Sequence, residues 1–202
     1  MEISVDSLHD QIPYYLTRDQ KEGLLKALKD FPRNTPYYLT GNYKEEYQEK
    51  LLQGDGWTKL KIFNFYTGEK ASINGIVLSN TCDVTPENAR ELPVNIVFAP
   101  IVPLSAYSAA LEKGGISSEK IQQKILAIKA QQITTIFYLP AGDDLDKDHM
   151  VLLDDIHTIP AKAFEQEAEK SKQFTLSLFG FYLFVFKLSV HFCRLHEGVN
   201  RA

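Results

Sequence analysis

Apolar and polar positions change their period along the 202-residue chain. Up to about residue 52 the spacing is helical. Thr17 and Gln20 have capping-box spacing ahead of Leu24, Leu25, Leu28 and Phe31, which predicts a first helix. Residues 30–36 break it, and a second helix is expected over 43–52. The pentapeptide Pro-Tyr-Tyr-Leu-Thr occurs at 13–17 and again at 36–40, each copy followed by Lys-Glu at the same offset (Lys21-Glu22, Lys44-Glu45). Two copies fall short of the roughly three repeats a solenoid needs, so a helical hairpin is expected, with each tyrosine pair packing on the residues after it.

From Gly54 the pattern becomes one of alternation and short apolar runs. Strands are expected at 59–65, 75–79, 94–101, 133–139 and 150–156, with a turn at 66–70. One helix interrupts them over 117–132, capped by Ser117 or Ser118 and carrying an Ile121, Ile125, Ile128 stripe. Pro160 opens a charged helix over 161–172. The most apolar stretch, 174–186, comes next and reads as helix, although its aromatics would also suit a strand. These elements predict an α+β chain with a small, mostly antiparallel barrel or rolled sheet. A helical extension occupies 1–52, the β core with its inserted helix 53–160, and a helical segment packing on the core or a partner 161–202.

Composition narrows the class. Hydrophobic residues make up 44% and charged residues 24%, which excludes disordered, collagenous and coiled-coil chains. The net charge of −4 argues against nucleic-acid binding through overall charge, while leaving room for a local basic patch. Cys82 and Cys193 form neither a metal-ligand nor a disulfide pattern, and the first residues hold no apolar leader, so a reduced, cytoplasmic setting is expected. The apolar stretch is shorter than the ~18–20 residues of a membrane span, and Lys187 interrupts it. A buried or dimer-forming element is expected there instead of a membrane contact.

The middle of the chain resembles the PemK/MazF-type toxins of bacterial toxin–antitoxin systems. The residues carrying the resemblance are Gly54-Asp55, the turn Gly68-Glu69, Ile76-Val77-Leu78-Ser79, Ile96-Val97-Phe98-Ala99-Pro100-Ile101, and the run from Val151 to Ile159. The match covers about 52–162 and implies an SH3-like barrel acting on RNA, with an antitoxin or a second copy of the chain as protein partner. The basic residue that the family uses for cleavage has Ile73-Asn74-Gly75 in its place, and its Thr falls at Val102. Lys70 lies in the loop where the family places its cation, so it is the expected substitute. The same departures equally fit a binding module that kept the barrel and lost the chemistry.

Three groups of residues could carry chemistry. Ser79-Asn80-Thr81-Cys82-Asp83 follows a buried strand, where functional side chains are often displayed. Cys82 would need a cationic neighbour to act as a nucleophile, His157 being the best distant partner, in a Cys82-dependent hydrolase; the plainer reading is a buried Cys82 in a turn folded by Asn80 and Asp83 through their backbone hydrogen bonds. Asp154, Asp155 and His157 form a second cluster, which with Asp83 could hold a divalent metal for phosphodiester cleavage; no other cofactor is expected, since phosphate-binding and dinucleotide motifs are absent. If the last segment is helical, Lys187, His191 and Arg194 line one stripe that could grip phosphates beside aromatic side chains. Catalysis would then fall to Lys70, Asp83, His157 or Cys82, and binding to Asn80, Thr81, Lys187, His191 and Arg194.

Overall fold

A computed structural model describes residues 36–192, apart from 42–44, 86–87, 89–90 and 144, together with 17–19, 22–23 and 26. Among these residues seven strands occupy Gly56–Asn64 (β1), Glu69–Val77 (β2), Asn95–Pro103 (β3), Ile136–Leu139 (β4), His149–Leu152 (β5), His157–Pro160 (β6) and Lys172–Phe174 (β7). Helices within the same span occupy Thr81–Val84 (α1), Leu104–Lys113 (α2), Ser118–Lys129 (α3), Ala161–Glu165 (α4) and Leu178–Phe192 (α5). The protein is therefore α+β.

The strands join in the order β4-β5-β3-β2-β1-β7, with β6 branching from β3, and every ladder is antiparallel. The long strand β3 organises this sheet. Its start pairs with β6 (Phe98↔His157), its middle with β2 (Phe98↔Val77, Pro100↔Gly75) and its end with β5 (Ile101↔Val151). The path is open, because β4 and β7 lie at its two ends. This pairing order does not close the sheet into the barrel expected from the sequence.

The β1–β2 hairpin arises from local chemistry. Asn64 closes it by accepting hydrogen bonds at Oδ1 from the amides of Tyr66 (2.9 Å) and Thr67 (3.2 Å). Gly68, at φ +72°, completes the turn in a backbone region that glycine enters without cost. At the other end the register shifts between Trp57 and Leu60, where Lys59 takes a positive φ of 59°.

Three apolar clusters hold the layers together. The largest packs Phe179, Tyr182, Leu183 and Phe184 of α5 against Ile76, Ala99, Ile101, Phe137 and Val151 of the sheet, with Tyr37 among them. The second lies around Trp57, Leu60, Phe98, Ile159 and Phe164, and the third under α2 and α3 around Leu104, Ile128 and Tyr138. The 174–186 stretch thus resolves into a strand end, a turn and a helix that covers one face of the sheet. Among the described residues no helix is long and apolar enough to cross a membrane.

Several expectations need correction. The helix over 161–172 stops at Glu165, because Lys170 turns back to donate to the carbonyls of Glu165 (3.0 Å) and Glu167 (3.1 Å), and Lys172 enters β7. The strand over 150–156 ends at Leu152 as β5; Asp154 and Asp155 lie in the turn after it, and β6, beginning at His157, is not among the expected strands. Between 43 and 52 only Glu45 and Glu46 are helical among the described residues, and turns come after them. The first helix is described at Arg18, Asp19, Glu22, Gly23 and Lys26, which are helical, with Arg18 and Glu22 paired at 3.0 Å. Leu24, Leu25, Leu28 and Phe31 lie outside the described residues.

Candidate functional site

The tip of the β1–β2 hairpin carries the two most exposed aromatics among the described residues, Phe65 and Tyr66, with Phe63 beside them. Phe65 is 89% exposed, Tyr66 fully so and Phe63 48%. Phe63 and Phe65 meet edge to face with their centroids 5.3 Å apart. Phe63 pairs across the hairpin with Lys70, and Lys61 pairs with Ser72 two rows further in. Directly opposed residues share a face at about 5 Å between their Cβ atoms, so the Lys70 side chain stands beside this aromatic pair. Between residues 56 and 77 there are three lysines and one glutamate, a local positive excess in an acidic chain. Lys61 donates to Ser72 Oγ (2.9 Å) and pairs with Glu167 (2.8 Å), while Lys59 pairs with Glu169 (3.4 Å), so the base of the hairpin is braced against the segment after α4.

Lys70 is far from the other candidates. Val77 lies seven residue steps further along β2, about 23 Å at the rise of an extended strand. Near Val77 the sheet does bring two groups together. Val77, Phe98 and His157 form one cross-strand row, which sets the end of β2 about 10 Å from the start of β6. His157 stacks on the Phe98 ring (5.8 Å, 28° between planes), and its Nε2 lies 3.0 Å from Asp155 Oδ1. Cys82 presents an exposed thiol.

The loop after β2 agrees with the plainer reading at Asn80, but Cys82 is exposed where that reading had it buried. Asn80 caps α1 by accepting from the amide of Cys82 (2.9 Å), and Asn88 donates to the carbonyl of Cys82 (2.5 Å). Asp83 occupies the first turn of α1. Thr81 Oγ1 accepts from the amide of Gln53 (3.0 Å), which ties the helix to the chain before β1. Thr81 also lines a cleft of about 1000 Å³ with Leu51, Trp57, Val84, Phe164 and Lys172.

A buried ion pair stands behind that cleft. Lys172 Nζ lies 2.7 Å from Asp55 Oδ2, and both side chains are removed from solvent. The ammonium also donates to the carbonyls of Tyr47 (2.6 Å) and Lys50 (2.5 Å), fixing the cleft wall. Burial pushes the Asp55 carboxyl up and the Lys172 ammonium down, and each partner opposes the other's shift. No local pattern announces this pair, whose members lie 117 positions apart.

Two expected sites are not assembled. Among the described residues no three of His, Cys, Asp and Glu converge to hold a metal ion. Asp154 and Asp155 sit in the β5–β6 turn, Asp155 is engaged by His157, and Asp83 belongs to α1. The basic stripe also fails. Lys187 is completely buried and donates to the carbonyl of Gln131 (2.6 Å), because that side of α5 faces the core. His191 is half-buried against Phe192, and Arg194 lies outside the described residues. No family model and no curated protein matches the sequence.

Proposed function

We propose that the chain is an RNA-binding module built on an SH3-like roll, with the tip of the β1–β2 hairpin as its contact surface. One observation carries this reading: Phe63, Phe65 and Tyr66 stand exposed beside Lys70 at the end of the hairpin. Single-stranded nucleic acid is bound by this combination, because every base has a face to stack and every linkage a charge to neutralise. In the toxin-like resemblance the cation comes from the turn that precedes β2; here Lys70 is the second residue of that strand, next to the turn.

The test is fluorescence anisotropy of a labelled single-stranded RNA titrated with the protein at low salt. Saturable binding that weakens about tenfold or more in Phe65→Ala or Tyr66→Ala supports the assignment, since one stacked base contributes about 1–3 kcal/mol. Binding that is unchanged in both variants removes the hairpin tip from the interface.

A second reading, cleavage of the bound RNA, is favoured by the Asp155–His157 pair, whose carboxylate orients an imidazole at the edge of the sheet. The same RNA incubated with the protein and run on a denaturing gel decides it. Fragments that vanish in His157→Ala would establish a ribonuclease; intact RNA leaves binding as the activity.

A further inference from the structure

Positive charge runs on from the hairpin tip along β1, and an acidic segment lies against it. Lys61 and Phe63 occupy alternate positions of β1 and so share a face, opposite Ser72 and Lys70 of β2. The Lys61–Ser72 row therefore stands about 7 Å from the Phe63–Lys70 row. Lys59 lies two residues further down, at the bulge, and both lysine side chains are about half exposed.

Both ammonium groups already hold a carboxylate. Lys61 Nζ lies 2.8 Å from Glu167 Oε2, and Lys59 Nζ lies 3.4 Å from Glu169 Oε2. These acids belong to residues 166–171, which join α4 to β7. Hydrogen bonds fix that segment against β1. The Thr58 amide donates to the carbonyl of Ser171 (2.9 Å), and the Ser171 amide donates to Thr58 Oγ1 (2.9 Å). The Glu169 amide donates to Glu167 Oε1 (3.2 Å). Lys61 and this amide hold the Glu167 carboxyl below its usual range, so it stays ionised. A carboxylate and a phosphate compete for one ammonium, because each presents anionic oxygens to it.

We propose that Glu167 and Glu169 are a built-in competitor for the RNA surface, occupying Lys61 and Lys59 until a bound strand takes them. This rests on the reading of the hairpin tip as an RNA contact. A strand held by the tip aromatics and Lys70 would reach Lys61 with its next phosphates and displace Glu167 there. The carboxylates are tethered beside the lysines, so they act at high effective concentration against any phosphate arriving from solution. Exposed pairs of this kind are weak, at most about fivefold in an equilibrium constant each, so a strand already gripped at the tip can open them. The pairs thereby favour strands long enough to cover the tip and β1 together.

Anisotropy titrations of a labelled single-stranded RNA of mixed sequence, at low salt and with the full chain, test this. Glu167→Gln removes the charge and keeps an oxygen to accept from the Glu169 amide. It is expected to tighten binding by about threefold to fivefold, the share that the pair withholds. The slope of log affinity against log salt should steepen by about 0.7, one more phosphate on a single strand. Glu165→Gln removes a neighbouring exposed charge whose carboxylate pairs with no lysine among the described residues, and so reports the effect of net charge alone. Its gain should stay below about twofold. Lys61→Ala should cost about threefold more affinity in the Glu167→Gln background than in the unaltered chain.

Equal gains from Glu167→Gln and Glu165→Gln, or equal losses from Lys61→Ala in the two backgrounds, would overturn the competition. Either result leaves the role of the tip standing, since Phe65→Ala reads that separately. Absence of RNA binding by all of these proteins would overturn the reading of the tip, and the competition with it.

Discussion

The Lys187 ammonium points into the core and donates to the main-chain carbonyl of Gln131 at 2.6 Å. Gln131 holds a left-handed backbone (φ 58°), and its side chain clasps Tyr138, with Nε2 donating to the carbonyl (3.0 Å) and Oε1 accepting from the amide (3.2 Å). One lysine thus joins the helix covering the sheet to the turn that starts β4. Burial pushes its ammonium down to about 7.

This sets the pH dependence of stability. Between pH 7 and 10.5 the unfolded chain holds the Lys187 proton and the native chain has released it, so unfolding takes up a proton. Stability is expected to rise through this window, by up to about 1.4 kcal/mol per pH unit, and to gain nothing from this group below it. Above pH 10 the buried tyrosines reverse the trend, because Tyr37 and Tyr182 are pushed up to about 12 by burial and ionise more readily once unfolded. Urea titrations at pH 7, 8 and 9, monitored by the fluorescence of the single tryptophan, Trp57, check the rise. Lys187→Met should flatten it.

The Asp55–Lys172 pair is expected to show strong coupling. Asp55→Ala leaves a buried ammonium without its counter-charge and should cost about 3–5 kcal/mol. Asp55→Leu combined with Lys172→Met removes both charges and should cost less than Asp55→Ala. Urea unfolding of the variants measures both.

At the hairpin tip, Lys70→Ala should leave the melting temperature within about 2 °C, because the residue is exposed. If the tip binds RNA, the same change should lower the slope of log affinity against log salt by about 0.7, one phosphate's worth on a single strand. Anisotropy titrations at three salt concentrations provide the slope.

Gly180→Ala should destabilise the protein by about 1–3 kcal/mol, because its methyl group would meet the main chain of residue 37 where neither side has room to move. Thermal melts measure the loss.

Local pattern made much of the fold legible. Alternation over 59–65 located β1, and the Ile121, Ile125, Ile128 spacing located α3 within a residue or two at its start. Of the elements that escaped, two have residues that contradict their surroundings. Lys172 reads as a solvated charge, and only Asp55, far away in sequence, lets it open a buried strand. Lys187, His191 and Arg194 do have stripe spacing, but spacing cannot tell which side of a helix meets the core. The exposed tip was hidden for a similar reason. Phe63 and Phe65 share a face by alternation, and only the pairing of the whole sheet leaves that face uncovered.

The position of α5 also governs how the chain is made. It lies C-terminal to every strand, yet it covers the face formed by Ile76, Ala99, Phe137 and Val151. A ribosome delivers those strands first and their cover last, so the growing chain carries a bare aromatic and aliphatic surface throughout synthesis of the sheet. Such a surface is the substrate of holding chaperones and the seed of aggregation. A premature stop before residue 178 would therefore yield a chain retained on chaperones or degraded, rather than a smaller working protein.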